Sequence, residues 1–333
     1  MSTPKETVAV TGASGFVGRA VVRELLARGY GVRALVRDRD KARKVLPADR
    51  RVLTVLGDAG DDAVVKELVA GAQAVVHLIG IIRAAGGGQS FQRVHVGTTR
   101  TLLDAARAAG IKRFVHMSAL GVHADGKAEY QRTKFEGEQL VRRSGLDWTV
   151  FRPGLIHGAD GELVGMIKGW CEGTKQPFVL IPYFARVVEH NEGVILGRIS
   201  FESAQVAPVY VGDVARCFVA ALTNPRSVGE VYNLVGSEEL SFRDMLRFYR
   251  DKLPGADATL PIAPVPGPAA VAQAVIAKAV GLGGALPFDE GQAHMAQEDQ
   301  TADLSKVRAH FGLGNDEPRG FRAAAADYVG SLV

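Results

Sequence analysis

Cysteine is nearly absent: the 333 residues hold only Cys171 and Cys217, too few for a disulfide framework and in keeping with a reducing, cytoplasmic compartment. Long apolar runs are missing too. A membrane-spanning helix needs roughly 20 apolar residues, and the nearest approach, 261–286, holds four prolines with Gln273 and Lys278. The polar Met1–Glu6 leads at once into an apolar run at Thr7, so no secretory leader is expected. The eight histidines show neither His-Glu-x-x-His nor Cys/His zinc spacing, so no metal is expected. Gly12-x-Ser14-x-Phe16 lacks the last glycine of a nucleophile elbow.

Charge of one sign is scarce as well, with a net +4 over the chain. The surplus is local: residues 1–50 carry eleven Lys/Arg against five Asp/Glu, and the remainder nets −2. A nucleic-acid partner needs a broader basic surface. A small anionic ligand bound near the N-terminus accounts better for the pattern.

What is present is an ordinary globular composition, 47% hydrophobic and 23% charged, with a regular beat over the first 155 residues. Strand-like runs at Thr7–Thr11, Gly31–Val36, Arg51–Leu56, Ala74–Ile79, Arg113–Met117 and Trp148–Phe151 are separated by four helical stretches, at 16–28, 61–69, 91–109 and 128–143. Apolar strands alternating with helices predict βαβ units and a doubly wound, parallel α/β sheet covered on both faces. The beat breaks after Pro153 and returns briefly. Residues 1–155 and 206–236 are expected to form the dinucleotide-binding domain, and 156–205 with 237–333 a smaller C-terminal lobe. The stretch 261–286, with a helical run at Ala270–Leu282, reads as a lobe helix packed on the core; docking on a membrane or a partner is the alternative.

The first strand runs directly into Thr11-Gly12-Ala13-Ser14-Gly15-Phe16-Val17-Gly18 and then a helix. This is the context a phosphate-binding turn requires: Gly12 for the tight turn, Gly15 for approach to a pyrophosphate, Gly18 for helix–strand packing, and helix N–H groups for the anion. Arg37 directly follows the second strand, where an acidic residue would take the 2′-hydroxyl of NAD. A guanidinium suits the 2′-phosphate of NADP, so NADP(H) is expected over NAD(H), with Asp38 leaving NAD open. Asp58, after the third strand, either reaches the adenine or caps the following helix.

Tyr130 and Lys134 lie four apart at the start of a helix and so share a face. A phenol is a poor acid or base at neutral pH, and a nearby ammonium favours its ionised form. Ser118, after the fifth strand, is positioned to hold a substrate carbonyl oxygen.

These residues resemble the short-chain dehydrogenase/reductase superfamily in its extended or atypical form. Thr11–Gly18 is similar to that family's glycine motif, Tyr130/Lys134 to its catalytic pair, Phe151-Arg152-Pro153-Gly154 to its turn beside the nicotinamide, and Val209–Ala215 to its substrate-domain signature. Val96-Gly97-Thr98, Arg113–Gly121 and Tyr130–Glu138 resemble the branch that includes the nucleotide-binding accessory subunit of respiratory complex I.

The resemblance implies NADP(H) held by Gly12, Ser14, Gly15, Phe16, Val17, Gly18, Arg37, Asp58, Leu78, Ile79, Gly80, Lys134, Pro153 and Gly154. It implies Tyr130, Lys134 and Ser118 as catalytic residues. His95 stands where the family usually has Asn, and Tyr130 follows Ser118 by only twelve positions, which disfavours a UDP-sugar epimerase. The expected function is an oxidoreductase moving hydride between NADPH and a small carbonyl or alcohol. The alternative is a non-catalytic NADPH-binding structural or sensor subunit of a respiratory, complex I-like, or other membrane complex. A small-molecule substrate, no nucleic acid, no transmembrane segment and a homodimer complete the expectation, with peripheral membrane association left open.

Overall fold

Strands buried on both faces have no polar side to alternate with, and the central ones here are close to continuous runs of apolar residues. In the computed structural model, which describes residues 6–83, 89–190, 198–279 and 289–332, they join into one seven-stranded sheet. The first stretch runs β1 (Thr7–Thr11), α1 (Phe16–Ala27), β2 (Gly31–Val36), α2 (Arg39–Val45), β3 (Val52–Leu56), α3 (Asp62–Val69) and β4 (Ala74–His77). A π-helix, Gln92–Gly97, then leads into α4 (Thr98–Ala108), β5 (Arg113–Met117), α5 (Glu129–Arg142) and β6 (Asp147–Pro153).

The chain next makes β7 (Ile156–His157), α6 (Glu162–Cys171), β8 (Ile181–His190), β9 (Arg198–Ser203), β10 (Gln205–Val206) and β11 (Val209–Tyr210). It returns to the large sheet with α7 (Val211–Ala221) and β12 (Glu230–Leu234). The remainder is β13 (Leu240–Ser241), α8 (Phe242–Lys252), β14 (Ile262–Pro266), α9 (Gly267–Ala279), α10 (Glu290–Met295), α11 (Ser305–Phe311) and α12 (Phe321–Val329).

Two compact units result. The first is Met1–Pro153, Val211–Leu234 and Asp303–Pro318. Its strand order is β12-β6-β5-β4-β1-β2-β3, and every neighbouring pair is parallel. Leu68, Leu102, Phe114 and Val150 fill one face of this sheet. The order reverses between β1 and β4, so a crevice opens at their carboxyl ends. The second unit is Gly154–Tyr210, Val235–Ala302 and Arg319–Val333. Ile181, Tyr183, Met245, Tyr249 and Phe321 form its core, around a three-stranded sheet ordered β14-β8-β9.

Several elements depart from the sequence reading. The charged run after β2 is a helix, α2, because Asp38 caps it by accepting from the Asp40 and Lys41 amides at 2.9 Å each. The helix expected over 91–109 opens with a π-turn. Asp303–Pro318, assigned from sequence to the lobe, belongs to the first unit, where Lys306 of α11 pairs with Glu230 and bonds the Val231 carbonyl of β12. Asp213, within the Val209–Ala215 stretch, lies in the first turn of α7 and accepts a bond from Arg216 at 2.6 Å. Of the helical run Ala270–Leu282, residues 280–282 lie outside the described residues. Among the described residues no helix is long and apolar enough to cross a membrane.

Candidate active site

β1 delivers Thr11 to the crevice, and the chain turns at once. Gly12 has φ +70°, a conformation open to glycine at little cost, and its carbonyl accepts the Gly15 amide at 3.0 Å. Gly15 is the N-cap of α1, and no side chain caps that end. The first-turn N–H groups therefore lack a side-chain partner and carry the positive end of the helix dipole. Gly18 lies so close to the turn that a Cβ there would sit 2.0 Å from the Gly12 oxygen. Gly15 is exposed, Ser14 and Phe16 are half-buried, and Val17 is buried beneath the helix. An uncapped helix N-terminus behind a turn closed on itself this tightly fits a pyrophosphate.

The end of β4 is tied to this loop. Thr11 Oγ1 accepts the Leu78 amide at 3.3 Å and bonds His77 Nδ1 at 2.7 Å. Leu78 is buried, Ile79 is half-buried and Gly80 is exposed, so this backbone lines the crevice beside the glycine loop. Arg37, just after β2, is exposed and has no partner among the described residues. The neighbouring Asp38 spends Oδ1 on its capping bonds. Asp58 does not cap α3; Asp61 does. Asp58 instead accepts the Gly60 amide at 2.8 Å and pairs with Arg93 at 3.6 Å.

On the other side of the crevice α5 presents Tyr130 and, one turn on, Lys134. Burial pushes the Tyr130 phenol up to about 12, so it enters neutral solution as a proton donor. Lys134 is buried and its ammonium donates to the Met117 carbonyl at 2.6 Å. Burial lowers it to about 8, against the charge of Glu138, which raises it. Its Nζ comes within 3.2 Å of where a side chain on Gly80 would begin, which brings the end of β4 and the α5 amine together.

Ser118 departs from its expected part. Its hydroxyl donates to Glu138 Oε2 at 2.8 Å, and a hydroxyl has one proton to give. Glu138, fully buried, also accepts two bonds from Arg152, Nε at 2.8 Å and Nη2 at 2.7 Å. Glu138 was not singled out from sequence, although 130, 134 and 138 fall on one helical face. Of the remaining expected positions, Pro153 ends β6, with its carbonyl accepting the Leu120 amide at 2.8 Å. Gly154 begins the second unit.

Three neutral histidines lie beneath the lysine. The Thr99 hydroxyl donates to the His95 carbonyl at 2.6 Å, so the bond at 3.0 Å between Thr99 and His77 Nε2 takes its proton from His77. The Thr133 hydroxyl donates to the Glu129 carbonyl, so His95 Nδ1 donates to Thr133 at 2.9 Å and Nε2 accepts the Ile81 amide at 3.1 Å. Both His95 nitrogens are thereby engaged. Burial first, then the Lys134 charge, lower His77 and His95 to about 3. His116 stacks on His77 with ring centroids 5.2 Å apart, and burial likewise pushes it well below the usual imidazole range.

Comparison with known proteins gives the same picture. Residues 12–169 match a family described as NAD(P)H-binding. The chain is 37% identical over 170 residues to the 4-hydroxy-2-methyl-3-oxo-4-farnesyl-3,4-dihydroquinoline-1-oxide ketoreductase of Stigmatella aurantiaca, a match covering 45% of this chain and 50% of that protein. It is 29% identical over 232 residues to the mouse mitochondrial NADH dehydrogenase [ubiquinone] 1 alpha subcomplex subunit 9, covering 68% and 56% respectively. The chain thus spans about half the length of these relatives. Among solved structures, an Agrobacterium tumefaciens short-chain dehydrogenase/reductase superfamily protein with bound NAD superposes with a TM-score of 0.62, at 23% identity and 96% coverage of both chains.

Proposed function

We propose that the chain, which carries an NAD(P)H-binding family domain over residues 12–169 and resembles extended short-chain dehydrogenase/reductase-like proteins, is an NADP(H)-dependent oxidoreductase. Its substrate is a carbonyl, or the matching alcohol, in a small apolar molecule. One observation carries the reading: a protonated phenol and a buried ammonium stand one helical turn apart on α5, and the ammonium is bonded to the end of β5. The similarity to a ketoreductase acting on a farnesylated quinoline supports the substrate class.

The glycine loop and the α1 N-terminus would hold the pyrophosphate, Arg37 the 2′-phosphate, Lys134 the nicotinamide ribose, and Leu78–Gly80 with Pro153 the adjoining walls. When bound, the nicotinamide supplies the hydride. Tyr130 gives its phenolic proton to the carbonyl oxygen as negative charge develops there, a role that suits a donor held un-ionised at neutral pH. Lys134, fixed on the Met117 carbonyl, presents positive charge to the developing anion. Ser118 has its proton on Glu138, so it meets substrate only as an acceptor.

The test is a fluorescence titration with NADPH and NADH on wild type and Arg37→Ala. NADPH should bind more tightly, and Arg37→Ala should remove most of that preference, about tenfold or more for a charge-assisted bidentate contact. Equal binding of both nucleotides by wild type would remove the NADP assignment. A second reading, an NADP(H)-binding structural subunit, draws on the similarity to the mitochondrial NADH dehydrogenase subunit.

A further inference from the structure

We propose that Glu138 is the positioning residue of the Tyr130–Lys134 pair: it grips the end of β5 through Ser118, draws in Arg152 from the end of β6, and supplies the negative charge that Lys134 faces. Ser118 then acts through Glu138 rather than as a donor to substrate. The inference rests on the NADP(H) reading of the pair and adds a residue to it.

The geometry is a double clamp. Met117 and Ser118 are consecutive residues, and consecutive turns of α5 hold both: Lys134 on the Met117 carbonyl at 2.6 Å, Glu138 on the Ser118 hydroxyl at 2.8 Å. A second strand end, that of β6, joins through the two Arg152 bonds to Glu138. The register between α5 and the ends of β5 and β6 is therefore set at points one and two turns beyond Tyr130, on the face that carries Tyr130 itself.

The electrostatics follow from the same contacts. The Lys134 charge acts on the imidazoles of His77 on β4, His95 on the π-helix and His116 on β5, all held neutral chiefly by burial. Tyr130, on its own helix, is un-ionised. Glu138 is the carboxylate acting on it. Arg152 and Arg142, whose Nη1 lies 3.6 Å from Glu138, pair with the same carboxylate. Removing that carboxylate leaves a buried ammonium among neutral rings and two arginines, a setting that drives it toward the uncharged amine.

The experiment is a carbon-13 NMR titration of the free protein labelled at the lysine ε-carbon, with the Lys134 signal assigned by its loss in Lys134→Arg. Glu138→Gln should move the Lys134 midpoint to lower pH by roughly one pH unit or more, and the alkaline loss of NADPH affinity should move with it. Glu138→Asp, which keeps the charge, should leave the midpoint with wild type. An unmoved midpoint in Glu138→Gln overturns the proposal, whatever happens to its Tm, and so does a Glu138→Asp midpoint displaced as far as that of Glu138→Gln. If Glu138→Gln does not fold, a displaced midpoint in folded Glu138→Asp overturns it alone. The titration needs no nucleotide. A wild type that binds neither NADPH nor NADH removes the cofactor reading and leaves the midpoints to decide the role of Glu138.

Discussion

Gly18→Ala sets two opposite effects against each other, and the structure says which wins. Gly18 lies in the first turn of α1, where replacing glycine by alanine ordinarily stabilises a helix by about 1 kcal/mol. Here the new Cβ would lie 2.0 Å from the Gly12 oxygen and 2.8 Å from two backbone atoms of Ala13. Neither neighbour is the end of a flexible side chain, so restoring an ordinary ~3.3 Å carbon–oxygen contact means moving α1 off the turn by about 1.3 Å. The helix is packed on β1 and β2 and against α7, and overpacking such a site costs ~1–3 kcal/mol. The steric cost wins.

The two figures net to a loss of up to ~2 kcal/mol, so Tm should fall by up to roughly 8 °C. The same retreat takes the first-turn amides away from the pyrophosphate, and losing one charge-assisted bond of ~1.5–3 kcal/mol lowers NADPH affinity by roughly 10- to 100-fold. Gly145→Ala is the control. Gly145 has φ +73° with nothing within 4 Å of its missing Cβ, so it should cost about 1 kcal/mol of backbone strain and leave NADPH affinity untouched. Thermal melts and NADPH titrations on both variants decide the matter. A Gly18→Ala protein as stable as wild type and unimpaired in NADPH binding would refute the reasoning.

Tyr130→Phe removes the proton donor and keeps the ring that packs edge-on against His95. Turnover in a carbonyl-reduction assay should fall by roughly 100-fold or more while NADPH affinity stays within a factor of a few; retained turnover would remove Tyr130 from the chemistry. Acid should also destabilise the fold through the buried imidazoles. His77 and His95 are held at about 3 against ~6.5 in the unfolded chain, so their neutral forms contribute fully above ~6.5. That contribution is lost as pH falls from there toward 3, at up to ~1.4 kcal/mol per pH unit for each. Urea unfolding at about pH 7 and about pH 5 should show a clear drop in midpoint, and His77→Asn should make that drop smaller; a flat wild-type profile would sink the idea.

The glycine loop and the strand beat were legible because they depend on local rules. Apolar strands such as Val8–Val10 and Val75–Val76, both fully buried, read as two-sided burial without any partner in view. Features set by tertiary contact were not legible in the same way. The sequence left Asp38 open to a nucleotide ribose, and only the structure shows it turning back on the amides of Asp40 and Lys41. The π-turn at Gln92–Gly97 adds one residue to a helical repeat, and it houses His95, which is engaged with Thr133 and Ile81, residues far off in sequence. Ser118 was assigned to substrate because its position after β5 was visible and its bond to Glu138 was not. The signal for Glu138 was nevertheless there: a third polar residue at the spacing of Tyr130 and Lys134, with Arg152 waiting at the end of the next strand.

The sheet-bearing unit is written in three instalments along the chain, and this bears on how it is made. When the first 153 residues have left the ribosome, the glycine loop, Tyr130 and Lys134 all exist. However, α7, which packs on α1, and β12, which pairs along β6, come some sixty residues or more later. The last piece, Asp303–Pro318, arrives after another excursion. A fragment cut at the boundary of the 12–169 match therefore leaves β6 as a naked edge and one side of α1 uncovered, a template for unwanted strand pairing. Nascent chains held at that length should depend on chaperones, and the first unit lacks its last piece until Pro318 has been synthesised.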